Sequence, residues 1–226
     1  MPEAKDGDAQ GALFGSPKYQ AWKRTVEGNG CTVGKVDLIS GLPKRDGTLL
    51  FALIKADVRD PSGRPLPAYA LLRGHAVIIV TEAVNRDNGE RRFVMIRQRR
   101  IGSGAETLEF PAGMTDEDIG DPLGVALKEL EEETGLQARP DQVFPLSPRP
   151  LYTSSGLNDE AIHYFGCTLE LPGDRYHALE ASETGKAEEG EFIRVCLVGH
   201  EEALPQVDSV QVRLGFSLWY GRAKAP

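Results

Sequence analysis

The chain has little that could cross-link it, anchor it or hold nucleic acid. Only three cysteines occur among 226 residues, Cys31, Cys167 and Cys196. They are odd in number, widely spaced and form no CxxC pair, which argues against a disulfide framework and against zinc. The simplest reading is three reduced, partly buried thiols in a cytoplasmic protein. No apolar run approaches the ~18 residues that a membrane span needs. Lys and Arg number 26 against 34 Asp and Glu, for a net charge of -8. A basic surface for bulk nucleic acid is therefore missing. His75, His163, His177 and His200 make no ligand spacing and read as structural or surface groups. Residues 1–18 lack the apolar core of a signal peptide and the Arg/Ser-rich, acid-poor make-up of a transit peptide. They are expected to form a flexible tail.

What remains suits a globular protein of one large or two small domains. Residues 19–29 could form a short helix around Trp22. From Cys31 to Leu72 the pattern is strands and turns, with Asp46-Gly47 and Asp60-Pro-Ser-Gly63 as turn signals. About three strands are expected there, in a small antiparallel sheet that needs a cover. Ala76 to Val80 is an apolar strand, and Asn88-Gly89 is a hairpin signal before Phe93 to Arg97. Further strands are expected near 143–146, 161–171 and 192–197. Val210, Leu214, Leu218 and Trp219 mark a closing amphipathic helix. The fold class expected is α/β, a mixed sheet sandwiched by helices.

The densest signal lies between Glu109 and Leu136. Asp121 is a good N-cap and Pro122 a good first helical residue, since its missing N–H would find no intrahelical partner. Leu123, Ala126, Leu127 and Leu130 form an apolar stripe. Gly135 supplies a left-handed stop. Glu129, Glu132 and Glu133 sit at i, i+3 and i+4, one face of the helix and well round from that stripe. Like charges so close repel by a few tenths of a kcal/mol per exposed pair. A cation among them would remove that cost, and Mg²⁺ is held by a few carboxylates together with substrate phosphates. A Glu-rich helix face is usually plain solvated surface. The Pro111-Ala112-Gly113 turn, the cap, the stripe and the terminal Gly-Leu weigh against that here.

This stretch resembles the Nudix box, the loop–helix signature of hydrolases that cleave a nucleoside diphosphate linked to another group. Glu129, Leu130, Glu132, Glu133, Gly135 and Leu136 match it. Lys128 stands where Arg is usual, and Lys is the poorer partner for bidentate contact. The loop from Gly113 is one residue longer, so the first Glu is replaced by Gly120 or displaced to Glu117. Arg73-Gly-His-Ala-Val77, Arg97-Gln-Arg-Arg-Ile101 and Leu108-Glu-Phe-Pro-Ala-Gly113 resemble the ADP-ribose/ADP-sugar pyrophosphatase branch. Ile54-Lys-Ala-Asp57, the longer box loop, Glu183-Thr-Gly185 and Glu191-Phe-Ile-Arg194 look nearest to its plant-type members. The likeness spans about residues 20 to 222.

The resemblance implies a Nudix α/β/α sandwich over 74–226, preceded by a small sheet domain over 19–73 that is swapped across a homodimer. It implies hydrolysis of ADP-sugars to AMP and a sugar phosphate, with Mg²⁺ as cofactor and Mn²⁺ as a possible substitute. The implied metal ligands are Glu129, Glu133, the Ala112 carbonyl and Glu191. Glu132 is a ligand or stands behind one. Glu188, Glu189 and Glu191 form a second acidic cluster. By position Glu189 resembles the catalytic base, and a solvated acidic loop is the alternative. Arg100 is the cation suited to the substrate diphosphate, since its fork can bind phosphate bidentately. Glu109 holds the substrate or a water on the metal, or else pairs with a nearby arginine. Arg97 and Arg99 read as a solvated strand end and Arg73 as structural. An adenine-stacking aromatic is implied among Phe51, Tyr69 and Trp22. Two other readings stand: a Nudix pyrophosphatase for a UDP-sugar, NADH or a dinucleotide, and a catalytically weak ADP-ribose-binding sensor.

Overall fold

The computed structural model describes residues 6–44, 47–115, 120–180, 182–185 and 192–222. The chain divides into two compact units, Met1–His75 with Tyr152–Ala161, and Ala76–Leu151 with Ile162–Pro226. The domain expected over 74–226 is not continuous. Tyr152–Ala161 instead belongs with the first unit, where Leu71 N donates to Leu157 O at 2.8 Å. Asp159 Oδ1 accepts from the backbone N–H of Arg73 and Gly74 at 2.7 and 3.1 Å.

The first unit is a three-stranded antiparallel sheet, β1 (Thr32–Pro43), β2 (Leu49–Arg59) and β3 (Tyr69–Leu72), in that order. Two helices line it, α1 (Asp6–Gly15) and α2 (Pro17–Gly28). Alternate residues of β2 (Ala52, Ile54, Ala56 and Val58) are buried, in a core shared with Leu13 and Tyr19 of the helices. Ser16 caps α2, its hydroxyl accepting from Tyr19 N at 3.2 Å and satisfying one of the orphan N–H groups of the first turn. Helix α1 corrects the expected flexible tail over Asp6–Gly15. Its segment carries three glycines and few large apolar side chains, so its periodicity is faint. Leu13 is nevertheless fully buried, and the Gln10 amide bonds Val36 O and Leu38 N of β1 at 2.9 and 2.8 Å.

The second unit is a mixed sheet between helices. The strands of this sheet are β4 (Ala76–Asn85), β5 (Arg91–Arg99), β6 (Glu106–Glu109), β7 (Ala112–Met114), β8 (Val143–Pro145), β9 (Leu151–Tyr152), β10 (Ala161–Leu171), β11 (Glu183–Thr184) and β12 (Ile193–Val198), with Tyr152 and Ala161 at the boundary counted with the first unit. The main order is β11-β12-β5-β4-β10-β8, with β6 beside β5 and β7 beside β4. Only β4 and β10 run parallel among the registered pairs. Helix α3 (Pro122–Thr134) packs on the face made by Val77, Ile79 and Val94. On the other face lie Val80, Phe93 and Met95 with α6 (Val210–Gly221), whose Phe216 and Trp219 are buried. Two short helices, α4 (Gly173–Ala178) and α5 (His200–Ala203), complete the unit.

The apolar strand β4 contains a charge that its sequence does not advertise. Glu82 is 3% exposed and sits 2.5 Å from Arg91 Nη2. His200 Nε2 lies 3.0 Å from Glu82 Oε1, though not aligned as a hydrogen bond, and its ring stacks on Phe93 at 4.2 Å. His200 is thus structural, as expected of the histidines. A buried carboxylate needs such partners, because an unpaired one is costly.

Candidate active site

Helix α3 begins as its residues dictate. Asp121 accepts from Gly124 N at 2.9 Å, and Gly135 ends the helix at φ +70°, a conformation that costs glycine nothing. One expectation is corrected. Glu133 does not lie away from the apolar stripe; it is 6% exposed. Three residues beyond Leu130 and seven beyond Ala126, it shares their inward face. Glu129 and Glu132 are half-buried, and Lys128 is exposed.

Both metal-ligand candidates on this helix meet the backbone of β7. Glu133 Oε2 accepts a hydrogen bond from Ala112 N at 3.0 Å. A Cβ on Gly113 would come within 2.0 Å of Glu129 Oε1, so that carboxylate lies directly over the glycine. Pro111 O accepts from Ile79 N, and Ile78 pairs with Ala112. By the alternation of an antiparallel ladder, the N–H and C=O of Ala112 point away from β4. The N–H ends on Glu133, and the carbonyl is directed to the same edge. A turn that brings a peptide carbonyl and two carboxylates together offers the oxygen donors that a hard divalent cation takes. Among the described residues no three acidic, imidazole or thiol groups form a ready metal cage.

Arg100 and Glu109 form a second cluster. Arg100 Nε and Nη2 donate to Glu109 Oε1 and Oε2 at 3.0 and 2.7 Å, and Thr107 Oγ1 donates to Oε1 at 2.6 Å. Of the two readings of Glu109, the structure displays the ion pair with arginine. Burial opposes ionisation of Glu109, but the Arg100 guanidinium and the Thr107 hydroxyl outweigh it and hold the carboxyl below its usual range. Arg97 donates to Gln206 Oε1 at 2.7 Å and Arg99 to Gly104 O at 2.9 Å. Arg73 Nε sits 3.1 Å from Glu160 Oε1 in the first unit, the structural role expected of it.

Glu117, Glu188, Glu189 and Glu191 lie outside the described residues. Two hydroxyls that bond site residues carry no motif of their own. Thr107 stands two residues before Glu109 on a strand, so both point to one face. Thr184 donates to the Glu133 carbonyl oxygen at 2.6 Å. Its only sequence signal was its place in Glu183-Thr-Gly185.

A NUDIX domain model matches residues 75–216. The chain belongs to the Nudix family. Nudix hydrolase 14, chloroplastic, from Arabidopsis thaliana is 29% identical over 218 residues, covering 90% of this chain and 70% of that protein. The ADP-ribose pyrophosphatase of Bacillus subtilis (strain 168) is 29% identical over 181 residues, 80% of this chain and 84% of that one. A crystal structure of an ADP compounds hydrolase aligns with TM-score 0.55 and 18% identity over 86% of this chain and 94% of the other, a likeness of fold. The chain is accordingly a Nudix hydrolase, and the curated relatives it is similar to include ADP-ribose pyrophosphatases. Among the described residues no helix is long and apolar enough to cross a membrane.

Proposed function

We propose that this Nudix hydrolase cleaves the diphosphate of ADP-sugars, ADP-ribose and ADP-glucose among them, to AMP and a sugar phosphate, with Mg²⁺ or Mn²⁺ as cofactor. The observation that carries the reading is the convergence of Glu129 and Glu133 on the Ala112–Gly113 backbone. The activities named for the curated relatives support the substrate class. Glu129, Glu133 and the Ala112 carbonyl hold the cation, together with Glu191, and Glu132 ligates or orients it. Bound there, a divalent ion offsets phosphate charge and lowers the pKa of water.

The chain's own residues do the rest. Arg100 turns its fork from Glu109 toward a diphosphate oxygen, because guanidinium matches phosphate as well as carboxylate. Glu109 keeps that arginine extended until substrate arrives. Glu189 takes the proton of the attacking water as general base. Water then attacks one phosphorus, and the bond to the bridging oxygen breaks.

The active form is a homodimer with the first unit swapped between subunits. Leu42, Phe51 and Tyr69 support this: they are 43, 38 and 55% exposed, and the registers of β1, β2 and β3 place them on one sheet face. Trp22 packs against the core of its own unit. That leaves Phe51 and Tyr69 as the aromatics able to stack on adenine. The protein works in the cytoplasm, where its three free thiols stay reduced.

The test is incubation with ADP-ribose, ADP-glucose, UDP-glucose, NADH and diadenosine polyphosphates, with Mg²⁺ and with chelator, and mass spectrometry of the products. AMP and sugar phosphate from the ADP-sugars, lost on chelation, is the expected result. Turnover confined to another substrate would reassign the specificity. ADP-ribose binding without turnover would make the protein a sensor.

A further inference from the structure

We propose that Thr184 is a positioning residue for the metal-binding carboxylate of Glu133. The inference rests on the reading of Glu133 as a metal ligand. The last four carbonyls of a helix have no intrahelical donor, and Glu133 is the penultimate residue of α3. Its neighbours are satisfied locally: Leu130 O accepts from Thr134 Oγ1 at 2.5 Å and Glu131 O from Gly135 N at 2.8 Å. The left-handed turn at Gly135 takes the chain out of the helix. A donor to the Glu133 carbonyl comes from 51 residues away, the Thr184 hydroxyl at 2.6 Å.

Glu133 is therefore held at both ends. Its carboxylate accepts from Ala112 N at 3.0 Å and its carbonyl accepts from Thr184. Thr184 belongs to β11, which pairs with β12 through Thr184↔Ile193, and β12 pairs with β5. The hydroxyl thus ties a helix end, where chains fray, to the main sheet. A metal ligand in the last turn needs such a tie, since a misplacement of about 1 Å can cost on the order of 100-fold in rate.

The test compares Thr184→Val, which removes the hydroxyl and keeps the shape, with Thr184→Ser, which keeps the hydroxyl. Thr134→Val is the control, because it deletes a hydroxyl at the same helix end that bonds Leu130 O and does not touch the Glu133 carbonyl. Mn²⁺ binding is read by electron paramagnetic resonance on the full chain, and Tm is read beside it. Thr184→Val is expected to weaken Mn²⁺ binding about 10- to 100-fold, the range for groups that orient ligands. Thr184→Ser should restore it, and Thr134→Val should lower Tm with Mn²⁺ binding unchanged. Wild-type Mn²⁺ affinity in Thr184→Val, or equal weakening in Thr134→Val, overturns the proposal. A wild-type protein that binds no Mn²⁺ overturns it too. Mn²⁺ binding without ADP-sugar turnover overturns the proposed substrate alone.

Discussion

Arg100 and Glu109 meet fork to fork, with Nε on Oε1 at 3.0 Å and Nη2 on Oε2 at 2.7 Å. The arginine proposed for the substrate is thus held by a half-buried carboxylate before substrate arrives, and Thr107 fixes that carboxylate from the other side. Such charge-assisted pairs hold a side chain in place more firmly than neutral hydrogen bonds do.

This pair makes a prediction about pH. The folded protein holds the Glu109 carboxyl below its usual range. A depressed carboxylate contributes stability above its unfolded pKa and loses it as pH falls through the folded value. Glu109→Gln should therefore lower stability at pH 7, by about 1 kcal/mol or 2–4 °C in Tm. The difference from wild type should shrink as pH falls into the acidic range. Thermal melts of both proteins from pH 3 to pH 7 measure it; a difference that grows on acidification would contradict the assignment.

Gly113 makes a prediction about activity without stability. An added methyl would meet the Glu129 carboxylate within 2.0 Å and its Cγ within 2.5 Å. A glutamate end is flexible and can swing away at little cost to the fold. Gly113→Ala should then keep its circular dichroism spectrum and lose about 100-fold or more in turnover, the scale of a displaced catalytic group. Steady-state kinetics beside a thermal melt would show whether the two separate.

Much of this was legible in the sequence because the signals are local. Asp121, Pro122 and Gly135 bound α3 as expected, and Asn88-Gly89 sits in the turn between β4 and β5. What escaped depends on residues far apart in the chain. The spacing of Glu133 from Ala126 and Leu130 already turns it inward, but its backbone partner, Ala112 of β7, lies 21 residues away. Thr184 becomes visible only when β11 returns beside the helix end. Helix α1 was hidden because glycines dilute its pattern, and its order comes from Leu13 and Gln10 packing on β1.

The cysteines should differ sharply in reactivity. Cys167 is fully buried and its thiol is pushed up to about 11 by burial. The thiolate is the reactive form, so Cys167 should resist alkylation at pH 7.5 in the native protein and react after unfolding. Cys31 and Cys196 are half-buried and should label first. Peptide mapping after a timed iodoacetamide pulse distinguishes them.

Association should depend on the exposed sheet face of the first unit. Phe51→Asp places a charge beside Leu42, its cross-strand partner. A charge in an apolar interface is strongly unfavourable. The variant should shift from dimer to monomer in light scattering after size exclusion; an unchanged dimer would move the interface elsewhere.

The most direct test of the whole account is Glu133→Gln, which keeps the shape and the Ala112 N–H acceptor but removes the charge. AMP release from ADP-ribose and ADP-glucose should be measured for wild type and variant in Mg²⁺ and in chelator. The account predicts metal-dependent release by wild type and a loss of roughly three orders of magnitude in the variant, comparable to deleting a principal electrostatic group, with an unchanged fold. Near wild-type release by Glu133→Gln, or release that survives chelation, would contradict it.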